Sequence, residues 1–224
     1  MTLYRITGLV LIVLPIAFNG LFFALGRAFS YPDILRHPTA DILSRFQAGG
    51  GRLIGLWYGF AMTALLAIPM ALLVQQVFPE QAALAAISGI IGALSGLVQA
   101  MGLLRWPLLV PGLAARYTAA DATAGEREAV SVVFNAFHQY VGVVVGEHLG
   151  YVFTGGWTIL VSAMMLGSTL FSPLLGGLGV VAAVGILAGL LEPAGWKATG
   201  AINAISYLVW SVWLIVSGLT LILA

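Results

Sequence analysis

The residues best equipped for chemistry are Glu147 and His148, adjacent in "VVVGEHLGYVFTGGW" (143–157), inside an apolar run. A carboxylate costs roughly 2.5–3.5 kcal/mol in hydrocarbon on insertion scales, so Glu147 must be protonated, paired or wet. Arg105, at the end of an earlier apolar run, is its nearest partner by depth. Two readings follow. A Glu147–Arg105 bridge would set helix registry; alternatively, Glu147 would carry a proton or hold a ligand, with His148 or Tyr151 assisting. At roughly 100° per residue, Ser131, Asn135, His138 and Gly142 share one helical face, and Tyr140, Glu147, Tyr151 and Thr154 nearly the opposite one. His148 then lies about 100° from Glu147, which argues against an acid–base dyad and makes it a satisfied interfacial side chain. His138 and His37 are weaker candidates. In the last apolar run Asn203, Tyr207 and Trp210 recur at i, i+4 and i+7, with Ser206 beside them. That spacing fits interhelical hydrogen bonding, or a polar wall shared with Glu147 and Tyr151. Asn19 and Gln99 are further candidates.

The elements that must position these groups are membrane helices. The chain has 224 residues, 61% hydrophobic and 8% charged, with a mean hydropathy of +1.05. Soluble domains carry roughly 25% charged residues, and so few charges could not cover a water-exposed surface. Length is that of a single transmembrane domain. Runs of about 20 apolar residues mark the spans: Leu3–Gly26, Leu53–Phe78, Ala82–Leu104, a long or bent fourth over 130–167, Phe171–Leu191 and Ile202–Leu223. The first exceeds the roughly 7–15 residues of a signal-peptide core, so it reads as a retained helix. Thr123–Glu126 is a capping box, and no stop follows it before Gly155-Gly156. A helix from Ala124 to Leu166 would reach roughly 65 Å, about twice the hydrocarbon core. It must therefore project from the membrane or bend near the glycines.

Eight of the nine basic residues fall in the connections after spans one, three and five, ending with Lys197; only Arg5 lies opposite. The positive-inside rule places those connections in the cytoplasm and both termini outside it. Pro38 to Gly51 reads as a short interfacial helix ended by three glycines, with Ile42, Leu43 and Phe46 toward the membrane. Trp106 and Tyr117 belong at headgroup level. Ser88, Gly92, Gly96 and Ala100 form a small-residue ridge in span three, and Gly185 and Gly189 a shorter one in span five, both suited to close helix packing.

Several classes are excluded. There is no cysteine, hence no disulfide, thiolate metal site or cysteine nucleophile. A net charge of +1 gives no basic field for nucleic acid. No zinc-protease helix, nucleophile elbow, phosphate loop or dinucleotide fingerprint occurs, and no metal site is expected. In order, "YPDIL" (31–35), "GGGRL" (49–53) with Trp57-Tyr58, "RWP" (105–107), "GEHLGY" (146–151) with Trp157, and "NAISYLVW" (203–210) resemble the bacterial DUF4386 family of small multi-span membrane proteins. The resemblance implies an inner-membrane location and supplies no catalytic residues and no cofactor.

The expectation is an all-α, six-span protein with short interfacial helices on the cytoplasmic side and an unusually long fourth helix. Its leading function is non-enzymatic: binding a small hydrophobic or lipid-like ligand, or serving as accessory subunit to a membrane partner. The polar cluster would comprise Glu147, His148, Arg105, Tyr151, Asn203 and Tyr207. The alternative is a proton-coupled transporter or intramembrane enzyme using Glu147.

Overall fold

A computed structural model describes residues 2–196 and 198–224. The apolar runs are helices, and no strand occurs among the described residues. This is the solution lipid demands, because a helix satisfies its own backbone groups where no water can. The order is α1 (Leu3–Phe29), a short 3₁₀ turn, α2 (Thr39–Gln75), α3 (Ala82–Leu108), α4 (Val110–Thr118), α5 (Ala124–Phe137), a π-helix (His138–Leu149), α6 (Gly150–Leu166), α7 (Pro173–Ala188), a second 3₁₀ stretch (Gly189–Ala194) and α8 (Ala198–Leu223). Six helical stretches are long and apolar enough to cross a membrane. The fourth runs unbroken for 43 residues, Ala124–Leu166. Lys197, which the charge argument assigns to the third cytoplasmic connection, lies outside the described residues.

Two compact units share these helices: Met1–Ala17 with Leu65–Val98 and His148–Ala224, and Phe18–Ala64 with Gln99–Glu147. The first unit packs Leu11, Leu14, Met70, Val74, Trp157, Met164, Trp213 and Leu214 into one core. Its helices touch closely where side chains are small: a Cβ on Gly92 would lie 2.5 Å from that of Ala71 and 2.6 Å from the Trp157 ring. With Ser88 fully buried and Gly96 buried, the small-residue ridge packs as expected. α7 starts at an N-cap, Ser172, whose side chain accepts from Leu175 N at 3.3 Å, with Pro173 at the first helical position.

The second unit is built around aromatic rings. Trp57 and Trp106 stack at 4.6 Å and 11°, and Phe29, Phe46 and Phe134 surround Trp106 at 5.5–6.1 Å. One sequence expectation is corrected here. Ile42, Leu43 and Phe46 are buried in this core at 3%, 0% and 2% exposure, not turned to lipid. Trp106 joins them at 1% exposure. The aromatic cluster offers these side chains denser contacts than lipid tails do. The three glycines do interrupt the helix as expected: at Gly50 (φ 53, ψ −152) the backbone leaves helical geometry, in a conformation that needs glycine, and a second helical stretch continues beyond the kink.

Candidate functional site

Arg105 is the polar centre of the second unit. α3 carries it into the aromatic core, 9% exposed, with its guanidinium 5.3 Å from the Trp106 ring centroid. Nη1 donates to the Gly102 carbonyl one turn back. Nη2 reaches Nδ1 of His138 at 3.4 Å, and Nε is buried without an acceptor. His138 is held in turn by stacking on Phe134 at 5.5 Å and 16°. Tyr31, in the turn after α1, packs edge-on against Trp57 at 5.0 Å. Desolvation pushes its phenol well above the ordinary tyrosine range; the Glu147 charge raises it further and Arg105 lowers it. Tyr31, Arg105 and Glu147 all belong to this unit.

The π-helix brings the directions of His138 and Glu147 onto one face. Widening the hydrogen-bonded loop from i→i+4 to i→i+5 gives on the order of 4.4 residues per turn, roughly 82° each. On that spacing His138, Gly142 and Glu147 fall within about 50° of one another. The α-helical wheel, which put His138 and Glu147 on opposite faces, does not hold over 138–149. Side-chain contacts agree: a Cβ on Gly142 would stand 2.5 Å from Nη2 and 2.6 Å from Cζ of Arg105. One turn away, a Cβ on Gly102 would lie 2.6 Å from the Gly146 Cα. Two glycines thus bring the π-helix flush against α3, and Arg105 lies between the Trp106 indole and the Gly142 backbone.

Tyr151, Asn203, Tyr207 and Trp210 lie in the first unit. Asn203 is buried on α8 and donates from Nδ2 to the Ile186 carbonyl of α7 at 2.7 Å. The Tyr151 and Tyr207 rings lie 6.1 Å apart, and a Cβ on Gly189 would meet Asn203 Nδ2 at 2.5 Å and the Tyr151 ring at 2.9 Å. Trp210 Nε1 donates to Thr158 Oγ1 at 2.8 Å, and Ser95 and Thr154 share a 2.7 Å bond. These are the interhelical hydrogen bonds the i, i+4, i+7 spacing anticipated. His148 is exposed and belongs to this unit, whereas Glu147, its neighbour, belongs to the other. Asn19, Gln99, Glu147, Tyr151 and Tyr207 each have a partner.

The connection between α4 and α5 is ordered by its own chemistry. Thr123 and Glu126 form the expected capping box at the start of α5, and Arg116 binds both Glu126 and Asp121, the latter at 3.3 Å. Among the described residues no three of His, Asp and Glu converge as a metal site would require. Sequence reasoning missed Tyr31, Gly102 and the contribution of His138 and Gly142. For Tyr31 the signal was its place in "YPDIL", beside the helix end; for the others it lay in a helix type that periodicity does not reveal.

No curated protein and no solved structure matches this chain. A family profile does, described as a domain of unknown function, DUF4386, over residues 6–218. With nearly the whole chain matched and six membrane-type helices in place, the protein belongs to the DUF4386 family.

Proposed function

We propose that this is a non-enzymatic protein of the bacterial cytoplasmic membrane that binds a lipid-like amphiphile, with Arg105 meeting its anionic head. The observation that carries the reading is the Arg105 guanidinium, buried yet with Nε unspent. A buried donor without acceptor costs about 1–3 kcal/mol, so an acceptor supplied there is strongly favoured. Nε and Nη2 form one edge of a planar fork, the geometry that carboxylate and phosphate oxygens match in pairs. Among the described residues Nη2 meets Nδ1 of His138 at 3.4 Å, a long contact. Aromatic and apolar side chains around it suit an acyl chain, and Glu147 offsets the cation when no anion is present. The bias of basic residues to the connections after spans one, three and five supports a site near the cytoplasmic face, with both termini outside.

Equilibrium binding of a fatty-acid carboxylate, a lysophosphatidic acid and a neutral monoacylglycerol to the micelle-purified protein tests this. Wild type should favour the two anions, and Arg105→Met should weaken them about 10- to 100-fold, the worth of a charge-assisted hydrogen bond. Equal binding of all three by both proteins would refute it. A second reading, with Glu147 as a proton carrier, draws support from the coupling of Glu147 to Tyr31. It predicts that Glu147→Gln stops flux in a folded protein. Its proposed assistants lend less support: His148 is exposed, and Tyr151 sits with Asn203 and Tyr207 around Gly189.

A further inference from the structure

The π-helix is unusual in extent. Such helices occur mostly as single-turn bulges, frequently at functional sites, whereas this one runs for 12 residues. Its sequence, "HQYVGVVVGEHL", does not commit the backbone to an α-helix: four valines and two glycines are all poorer α-formers than alanine. What favours the wide turn is contact with α3. Gly142 fits against the Arg105 guanidinium, Gly146 against Gly102, and His138 against Nη2. The Gly146 contact depends on the π spacing, because α spacing would turn Gly146 about 140° from its present direction, whereas Gly142 stays near the face of His138 on either spacing. With His138 held in place and α spacing restored, each residue turns roughly 18° more, and Glu147 ends about 160° from its present direction. Val145 would then turn toward Arg105 in its place.

We propose that residues 138–149 interconvert between the π-helix and an α-helix, and that this change withdraws the Glu147 carboxylate from Arg105. The segment is thus a register switch. In the π form the cation has a carboxylate nearby; in the α form that carboxylate has swung off the shared face and Arg105 is left to other acceptors. The switch goes beyond the ligand-binding reading and does not depend on it, because it concerns only the chain's own groups.

The test uses a hydrophobic carbodiimide, which modifies carboxyl groups accessible from the lipid phase, on the full-length protein in lipid nanodiscs. Modification at Glu147 is followed by peptide mass spectrometry, with Glu80 and Glu192 as internal references. Val144 is exposed and Val145 half-buried, so V144A/V145A raises α preference without opening a core cavity. It should speed modification of Glu147 about fivefold while the reference sites are unchanged. Gly146→Ala places a methyl group against the Gly102 Cα, a contact made only at the π spacing, and should also speed it. A V144A/V145A rate equal to wild type at Glu147 would overturn the proposal.

Discussion

Removing the charge of Glu147 should cost more than removing both charged partners together. Arg105 is 9% exposed, and a buried ion deprived of its counter-charge typically costs about 3–5 kcal/mol. Glu147 is half-buried, so water recovers part of that, and Glu147→Gln should lose about 2–3 kcal/mol. Arg105→Met should lose a similar amount, less whatever is regained by deleting the unsatisfied Nε. The double variant replaces the pair by neutral groups of similar volume and should recover most of the loss. The coupling energy expected is about 3 kcal/mol, at the upper end of the range for residues sharing one network. Reversible unfolding in bicelles, titrated with a denaturing detergent, reads all four proteins on one scale. If the two single losses simply add in the double variant, Arg105 and Glu147 are not energetically coupled and the polar centre described here is wrong.

Three further outcomes follow from specific contacts. Tyr31 has a raised pKa in the folded protein, so unfolded chains release its proton first as pH climbs past the ordinary tyrosine value of about 10. Stability is therefore intact below that pH and falls above it, by at most about 1.4 kcal/mol per pH unit; Tyr31→Phe should flatten the fall, seen in thermal melts between neutral and strongly alkaline buffer. Thr123→Ala removes the capping box ahead of α5 and should cost about 1 kcal/mol, with faster amide exchange confined to the first turn. Gly92→Ala forces a methyl group against Ala71 and Trp157 and should cost about 1–3 kcal/mol, with a change in the Trp157 fluorescence environment.

Much of this architecture was readable because lipid imposes a simple rule: long uncharged runs must be helices. The spans, the capping box at Thr123, the close-packing role of Gly92 and the interhelical hydrogen bond of Asn203 all followed from composition and spacing. The aromatic core of the second unit did not, because Ile42, Leu43 and Phe46 have the same pattern whether they meet lipid or protein. Apolar periodicity identifies the buried face of a helix, not what buries it. Depth alone suggested Glu147 as the partner of Arg105, but the helical face that carries Glu147 was not legible. A wheel drawn at α spacing separates His138 from Glu147, and only the wider π turn reunites them. Helix type depends on contacts with α3, through Gly142 and Gly146, and those are properties of the folded chain. Gly50 is the converse case: three glycines in a row signal a break, and the backbone does leave helical geometry there.

An experimental density map of the wild-type protein in native lipid, examined beside Arg105 Nε, bears most directly on what the polar centre is for. An elongated feature with its polar end within hydrogen-bonding distance of Nε, and its tail along the aromatic wall, is the expected result, and it should vanish in Arg105→Met. A single water-sized peak at Nε, unchanged by any anionic amphiphile added, would contradict the ligand-binding reading and leave Arg105 as a device for holding helices in register.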